Sequence, residues 1–188
     1  MSLFQNSKPF YFIRHGQTDW NKDGLAMGQV DIPLNETGRL QACTAALILE
    51  HYKFSHIVSS PLKRSYETAI TIAKPHRIIV ETMDEFKEAN WGVRQGLYNG
   101  DESWLKAWRE GVSVKGAETF LEMQERVKSG LGKVFKRSEP VLIVAHGGVY
   151  WCLRAILGFE FEDTHNATPY FFRPPTYEHM TWFICPIE

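Results

Sequence analysis

Cysteine is scarce in this sequence, and its charges almost balance. The 188 residues contain 3 cysteines (Cys43, Cys152 and Cys185), an odd and scattered set that predicts no disulfide framework. The net charge of −1 lacks the basic excess that nucleic-acid and anionic-membrane surfaces need. No apolar run reaches the length of a membrane span. We therefore expect a cytoplasmic globular protein with reduced thiols, which binds neither nucleic acid nor membrane.

The sequence also lacks the ligand spacing of a structural metal site. Only His51 and His56 approach the spacing of a zinc-finger histidine pair, and no closely spaced cysteine pair accompanies them. We therefore predict that the protein holds no metal and needs no cofactor.

Two histidines stand in matching positions, each after an apolar run and before glycine. The run 10–13 leads to Arg14 and His15, and Val141–Ala145 leads to His146. Such runs are typical of buried strands in a parallel sheet, and open α/β sheets bind ligands at the carboxyl ends of their strands. One histidine in this position is usually structural, but the repeated context favours a functional pair. The guanidinium of Arg14 favours an anionic substrate such as a phosphate.

Alternating strand and helix patterns predict a three-layer α/β/α fold. We expect a mostly parallel sheet flanked by helices, with right-handed crossovers. Strands are predicted at 10–14, 56–59, 77–81, 141–145 and near 179–185, and helices at about 35–50, from 60 onward, at 118–136 and at about 148–157. No repeat or linker divides the chain, so we predict a single domain over 1–188, in which 82–117 is an irregular cap segment.

Two of these helices carry more detailed predictions. Leu40, Cys43 and Leu47 recur at helical spacing and are predicted to form the buried face of the helix at 35–50. Ser60 is predicted to cap the following helix, with Pro61 at its first position. The positive end of that helix would favour a bound phosphate.

A distinctive octet surrounds the first histidine: Arg14-His15-Gly16-Gln17-Thr18-Asp19-Trp20-Asn21. Further segments follow it in order: Gly28-Gln29-Val30-Asp31-Ile32-Pro33-Leu34, Thr37-Gly38, Ser59-Ser60-Pro61-Leu62-Lys63-Arg64 with Glu67-Thr68-Ala69, Glu88 with Gly92, and His146-Gly147-Gly148. Together these segments resemble the histidine phosphatase superfamily, the phosphoglycerate mutase-like family, across nearly the whole chain. The resemblance implies the phosphoglycerate mutase-like fold and phosphoryl-transfer chemistry.

The resemblance implies that His15 is the nucleophile, which becomes a phosphohistidine, and that His146 supports it. The residue pattern alone does not rank the two histidines. A nucleophilic histidine needs one unprotonated ring nitrogen, so we expect the other nitrogen to donate to a backbone carbonyl. Arg14 and Arg64 are expected to disfavour protonation of His15. The predicted catalytic residues are His15, Glu88 and His146, and the predicted phosphate-binding residues are Arg14, Asn21, Gly28, Gln29, Arg64 and Gly147.

Glu88 is predicted to protonate the departing alcohol and then to activate water against the phosphohistidine. An isolated glutamate is usually a solvated surface residue, and Glu81, Asp84 and Glu85 lie nearby as competitors. The family's Glu-x-x-x-Gly pattern favours Glu88, because Gly92 follows it at the matching distance. Partial burial beside a phosphate dianion is expected to raise the pKa of this carboxyl and keep it protonated for donation.

The resemblance implies a metal-independent, histidine acid-type phosphatase that hydrolyses a small phosphorylated metabolite. A phosphoglycerate mutase is the main alternative, because mutase and phosphatase share the phosphohistidine. Mutases that resemble this family carry basic residues directly after the acid glutamate, whereas Ala89 and Asn90 follow Glu88 here, so hydrolysis is favoured. A non-catalytic phosphate-binding module is a third alternative. The sequence leaves open whether the chain forms a homo-oligomer.

The predicted cap segment is rich in tryptophan. Trp91, Trp104 and Trp108 lie in it, and we predict that the segment 89–108 contacts the non-phosphate part of the substrate, unless these tryptophans serve as ordinary packing. The family's Trp-Glu-Gly and Gly-Glu-Ser segments are replaced here by Arg94-Gln95-Gly96 and Ala117-Glu118-Thr119. The substrate is therefore not inferred from close relatives.

Overall fold

Strands and helices alternate along most of the chain, as the periodicity predicts. The computed structural model describes residues 7–100, 103–160, 164–177 and 181–187. The strands are β1 (Phe10–Arg14), β2 (His56–Ser59), β3 (Val80–Thr82), β4 (Val141–Ala145), β5 (Pro169–Arg173) and β6 (Phe183–Pro186). The helices are α1 (Asp19–Lys22), α2 (Glu36–Leu49), α3 (Lys63–His76), α4 (Ser103–Arg109), α5 (Phe120–Val134) and α6 (Gly147–Leu157). Within these described ranges, no helix combines the length and apolarity needed to cross a bilayer.

The described strands form a six-stranded sheet in the order β3-β2-β4-β1-β5-β6. Neighbours from β3 to β1 run parallel, whereas β5 is antiparallel to β1 and β6 is antiparallel to β5. The predicted mixed fold with a mostly parallel sheet is confirmed. The parallel strands bring their carboxyl ends to one edge, where the segments that follow β1, β2 and β4 meet.

Side chains alternate between the two faces of the sheet and build a core on each face. On one face, Ile13, Leu142 and Val144 pack with apolar residues of α2 and α3. On the other face, Phe12 and Ile143 pack with apolar residues of α5 and α6. Helices therefore cover both sides of the sheet, which gives the predicted three layers.

The buried face of α2 differs from the prediction. Leu40 and Leu47 are 65% and 70% exposed, and Cys43 is exposed as well. The helix instead buries Gly38, Ala42, Ala45 and Leu49. Both sets recur at helical spacing, so periodicity does not distinguish them. The small residues face inward because the backbone of α2 lies close to the segment that follows β1. A Cβ at Gly38 would lie 2.0 Å from the Gln17 carbonyl oxygen.

Helix α3 begins at Lys63 rather than at Pro61. Ser60 is not its N-cap, because the Ser60 amide donates to the Val144 carbonyl over 3.0 Å and extends the pairing of β2 with β4. The Ser60 hydroxyl instead accepts a hydrogen bond from the Leu62 amide over 3.3 Å. Leu62 occupies the N-cap position without a side-chain cap, so the predicted capping by Ser60 is wrong.

The segment 82–117 is more regular than predicted. It contains α4 and two short 3-10 turns, Asp84–Phe86 and Gly92–Arg94, while its residues 101–102 lie outside the described residues. Trp104 and Trp108 stand one helical turn apart on α4, and both are buried. Their shared apolar face explains why this stretch is helical.

The strands toward the sheet edges also differ from the prediction. β3 starts after the predicted residue 77, because Arg77 ends α3 in the left-handed conformation with a φ of 57°. β5 is not predicted at all, because it opens with a proline, Pro169, which is typical of loops and strand ends. β6 lies at the sheet edge as expected, although residues 179–180 of the predicted strand lie outside the described residues.

Candidate active site

The two predicted histidines lie side by side because β1 and β4 are neighbours. Arg14 pairs with Ala145 in the parallel register, so the residues that follow them meet at the carboxyl edge of the sheet. The His15 amide donates to the Ala145 carbonyl over 3.0 Å, and the ring centroids of His15 and His146 are 5.1 Å apart. The sheet therefore brings the two predicted site histidines together at one edge.

Hydrogen bonds determine the tautomer of the His15 ring. Its Nδ1 lies 2.7 Å from the Gly16 carbonyl oxygen, which only accepts hydrogen bonds, so Nδ1 carries the proton. Nε2 is then unprotonated, and it accepts a hydrogen bond from Arg64 Nε over 3.2 Å. This arrangement has the form that the sequence predicts for a nucleophile, with one nitrogen bound to a backbone carbonyl and the other unprotonated.

The surroundings of His15 keep its ring neutral. The residue is 1% exposed, and burial is the largest cause that lowers the pKa of His15 well below its ordinary value. The guanidiniums of Arg64 and Arg14 lower this pKa further, while the Gly16 carbonyl acts in the opposite direction. A nitrogen nucleophile requires such a neutral imidazole.

Arg64 links the histidine to the loop that follows α1. The side chain is fully buried, and its Nη2 and Nη1 donate to the Gly28 and Val30 carbonyl oxygens over 2.7 and 3.0 Å. Burial is the main cause that lowers the pKa of Arg64 to about 10, so the guanidinium stays charged at neutral pH. Gly28 has a φ of +54°, and a Cβ there would lie 2.4 Å from Gln95 Oε1, so this position needs glycine.

Glu88 reaches the same site from the segment between β3 and α4. Its Oε1 accepts a hydrogen bond from the Ala89 amide over 2.9 Å, and its Oε2 accepts one from the Gly148 amide over 3.2 Å. Burial raises the pKa of Glu88 and outweighs the two amides and Arg64, which act to lower it. The direction of this shift is the one that a proton donor needs.

The carboxylates that compete with Glu88 in the sequence are engaged elsewhere. Each forms an ion pair with a basic residue: Glu81 with Arg137, Asp84 with Lys87, and Glu85 with Lys133. Glu88 is therefore the carboxylate of this segment that lines the pocket described below.

Of the two glycines after His146, Gly148 is required by a close contact. A Cβ at Gly148 would lie 2.0 Å from Glu88 Oε1, so a larger residue would displace the carboxylate. Gly147 lies beside Arg14, because a Cβ at this position would be 3.8 Å from Arg14 Cζ. Both glycines open α6, and the amides at a helix N-terminus favour an anion.

His146 lies beside His15 with unsatisfied ring nitrogens. Neither nitrogen has a hydrogen-bond partner in the described part of the chain, although the side chain is fully buried. Burial, followed by the charge of Arg64 and the neighbouring His15, lowers the pKa of His146 well below its ordinary value. Because an unsatisfied buried imidazole costs free energy, a ligand oxygen that binds it is favoured.

The remaining predicted phosphate ligands are engaged in different ways. Arg14 and Asn21 line the pocket. Asn21 Oδ1 accepts hydrogen bonds from the Thr18 amide and hydroxyl, each over 3.2 Å, which leaves the Nδ2 group to act as a donor. Gln29 Nε2 donates to the Glu88 carbonyl oxygen over 3.1 Å, and its contact with phosphate stays a prediction.

A pocket of about 160 Å³ opens between these residues. Its described lining consists of Arg14, Asn21, Leu25, Ala26, Met27, Gly28, Glu88, Trp91, Asn99, Trp104, Leu105, Gly147, Gly148, Trp151 and Thr164. His15, Arg64 and His146 are absent from this set because each is at most 1% exposed. Among the described residues, no group of three or more His, Cys, Asp or Glu side chains is arranged to hold a metal ion.

The tryptophans that line the pocket include two of the three in the predicted cap segment. Trp91, Trp104 and Trp151 line it. Trp108 is 1% exposed and donates its Nε1–H to the Glu118 carbonyl over 2.8 Å, so it serves as packing, the alternative that the sequence left open. Trp151 went unpredicted, although it follows the opening glycines of α6 by one helical turn, a spacing that places them on one face.

Comparison with known proteins finds relatives over most of the chain. The family model described as "Histidine phosphatase superfamily (branch 1)" matches residues 10–169. The uncharacterized phosphatase PhoE of Bacillus subtilis (strain 168) is 36% identical over 143 residues, which cover 75% of this chain and 72% of that protein. A glucosyl-3-phosphoglycerate phosphatase of Mycobacterium tuberculosis is 32% identical over 162 residues, which cover 77% of this chain and 73% of that protein.

The likeness extends to three dimensions. The solved structure of a mycobacterial glucosyl-3-phosphoglycerate phosphatase complexed with VO3 has a TM-score of 0.81 to this chain at 27% identity. The match covers 95% of this chain and 97% of that one. The predicted fold is thereby confirmed at the level of the whole chain.

Proposed function

The chain belongs to the histidine phosphatase superfamily, and from this premise we propose that it is a metal-independent phosphatase that hydrolyses a small phosphomonoester through a phosphohistidine on His15. The observation that carries the proposal is the hydrogen bonding of His15, with Nδ1 bound to the Gly16 carbonyl and Nε2 unprotonated beside Arg64. A neutral imidazole of fixed tautomer can attack phosphorus directly, and the buried guanidinium stabilises the charge that develops.

The phosphoryl group is expected to bind between the two histidines and the first turn of α6. Arg14 and Arg64 supply positive charge for its equatorial oxygens, as phosphoryl transfer requires. His146 supplies an N–H from a ring that otherwise has no partner among the described residues. Gly147, at the start of α6, adds the dipole of a helix N-terminus.

In the first step, His15 Nε2 attacks phosphorus in line with the ester oxygen. The P–N bond forms and the P–O bond to the alcohol breaks. The departing oxygen takes the proton of the Glu88 carboxyl, so the product leaves as a neutral alcohol. Glu88 suits this role because burial raises its pKa and keeps it protonated at a higher pH than a solvated glutamate.

In the second step, water replaces the histidine. The Glu88 carboxylate accepts a proton from water while the water oxygen attacks the phosphorus of the phosphohistidine. The P–N bond breaks, inorganic phosphate leaves, and His15 Nε2 regains its lone pair. One water is consumed for each ester, and Glu88 ends protonated for the next turnover.

The residues directly after Glu88 favour hydrolysis over mutase transfer. Ala89 is fully buried, and Asn90 Oδ1 accepts a hydrogen bond from the Gly92 amide over 2.9 Å. Neither residue offers a cation to the pocket, whereas the mutases that resemble this family carry basic residues there. A non-catalytic phosphate-binding module would need no proton donor, and the Glu88 carboxyl that lines the pocket argues against it.

The alcohol part of the substrate is expected to meet the tryptophan-lined half of the pocket. Trp91, Trp104 and Trp151 lie there with Leu105, and Asn99 adds an amide. This lining suits a small metabolite with an apolar or ring-shaped group.

Phosphate release from p-nitrophenyl phosphate and from a panel of natural phosphomonoesters, with and without EDTA, tests the proposal. Hydrolysis that survives EDTA supports it, because arginine and histidine would then replace the charge of a metal. Interconversion of 2- and 3-phosphoglycerate without phosphate release would instead support the mutase. Binding of phosphate without turnover of any panel member would leave only the binding module.

A further inference from the structure

We infer that Arg126 and Glu118 form a clamp that positions the Glu88 carboxyl for proton transfer. The inference rests on the proposed role of Glu88. Both clamp residues lie outside the described set that lines the pocket, so they act through Glu88 rather than on the substrate.

Arg126 holds the chain just before Glu88. It lies on α5, and its Nη1 donates to the carbonyl oxygens of Glu85 and Lys87 over 2.8 and 2.9 Å. The Lys87 carbonyl belongs to the peptide group that joins Lys87 to Glu88. Arg126 therefore sets the orientation of the peptide plane from which Glu88 begins.

Glu118 orients Arg126 and also holds the chain just after Glu88. Its carboxylate oxygens accept hydrogen bonds from Arg126 Nε and Nη2 over 2.8 and 2.7 Å, which is a bidentate pair. Its backbone amide donates to the Asn90 carbonyl over 2.9 Å. The two residues thus form hydrogen bonds to the backbone on both sides of Glu88.

The clamp is largely shielded from solvent, and it requires the planar geometry of a guanidinium. The side chains of Arg126 and Glu118 are 21% and 16% exposed, so solvent screens them less than a surface ion pair. All three guanidinium nitrogens of Arg126 are used, because together they bind one carboxylate and three backbone carbonyls, of which the Asp84 carbonyl is the most distant at 3.5 Å. A lysine keeps the charge but has a single compact ammonium, which does not reproduce this planar fork.

The position of the Glu88 carboxyl depends on the hydrogen bonds of this clamp. The carboxyl accepts hydrogen bonds from the Ala89 and Gly148 amides, so a shift of the clamped segment would move the carboxyl relative to α6. A proton donor must lie within hydrogen-bond reach of the ester oxygen, and small displacements weaken the transfer strongly.

Leaving-group dependence separates positioning from stability. p-Nitrophenolate departs without a proton, whereas an alkoxide needs the acid, and kcat/KM reports the steps up to departure. We expect Arg126→Lys and Arg126→Met to lower kcat/KM about ten- to a hundredfold for an alkyl phosphate that the wild type hydrolyses. The loss for p-nitrophenyl phosphate should stay below about threefold. Arg126→Lys isolates geometry, because it preserves the charge.

Two further variants serve as the reference and the control for this comparison. Glu88→Gln is the reference for loss of the acid and should show the same selectivity for the alkyl phosphate. Lys133→Met is the matched control, because Lys133 pairs with the Glu85 side chain on the same segment. We expect it to leave kcat/KM for both substrates near wild type. Should Arg126→Met fail to fold by circular dichroism, Glu118→Gln, which weakens the bidentate pair, carries the test.

The outcomes are distinguishable. Equal losses for both substrates in the Arg126 variants, or wild-type values for Arg126→Lys, overturn the clamp while Glu88→Gln remains selective. If Glu88→Gln itself shows no dependence on the leaving group, the proposed proton donor fails, and the clamp fails with it.

Discussion

Arg64 Nε lies 3.2 Å from His15 Nε2, so a cation proposed to bind phosphate also holds the nitrogen proposed to attack it. While this bond lasts, the lone pair of Nε2 is occupied. Attack on phosphorus therefore requires Arg64 to turn its N–H toward a phosphate oxygen. Arg64 also helps to lower the pKa of His15, so the proposed nucleophile stays neutral. Its Nε2 stays bound to Arg64 until an anion binds in the site.

His15→Ala should abolish turnover and leave the chain folded, because it removes the proposed covalent relay. Acid-labile label trapped on the wild type from a radiolabelled substrate should be missing from the variant, and circular dichroism should be unchanged. Retention of more than about a tenth of wild-type turnover would contradict the assignment of the nucleophile.

Arg64→Ala should lower kcat/KM by the equivalent of about 2 to 4 kcal/mol, the usual cost of one lost buried donor to a transition state. Arg39→Ala is the matched control, because Arg39 is 56% exposed and pairs with Glu67 at the surface. The thermal stabilisation that added vanadate gives should also shrink in the Arg64 variant, which measures binding without turnover. Similar kinetics for the two variants would contradict the proposed site.

The melting temperature should fall on the acid side of neutrality. The folded-state pKa values of His15 and His146 lie well below the ordinary value of 6.5, so the unfolded chain binds more protons as the pH drops. Their contribution to the free energy of unfolding is complete above 6.5 and is lost as the pH falls toward the folded-state values.

His146→Gln should flatten this dependence between about pH 8 and about pH 5, because glutamine takes up no proton. His51→Gln, at an exposed position outside the site, is the control and should keep the wild-type slope. If the His146 variant lost stability as steeply as the wild type, the neutral buried ring would be disproved.

Trp104→Leu and Trp151→Leu should each change the order in which the enzyme prefers the panel of phosphomonoesters, because both residues line the pocket. Trp108→Leu should lower the melting temperature and keep that order, since Trp108 is 1% exposed in the core. If both pocket variants kept the wild-type order of substrates, Trp104 and Trp151 would serve only in packing.

The sequence predicts the centre of the sheet better than its periphery. β1 and β4 lie where their continuous apolar runs predict them, because strands buried on both faces need such runs. The buried face of α2 is mispredicted, because Leu40 and Leu47 outweigh the small residues that close packing requires. Hydrophobicity identifies a helix here, but steric fit chooses which side faces inward.

The same contrast holds for the site. His15 and His146 follow paired strands, so the register alone brings them together. Asn99 and Thr164 line the pocket from loops, and their positions depend on how those loops pack, which no local pattern encodes. Arg126 carries no motif of its own, because its Nη1 contacts backbone carbonyls that any residue supplies, and its carboxylate partner Glu118 lies 8 residues away in the sequence.

The adjacency of β1 and β4 has a consequence for synthesis of the protein. Arg14 leaves the ribosome before the long stretch of chain that ends with Ala145 and the first turn of α6. The proposed anion site therefore cannot exist in a nascent chain that stops short of Gly148, and closing such a long loop is entropically slow. Binding of a phosphate analogue thus reports completion of the long-range topology, which makes it a readout for newly finished molecules.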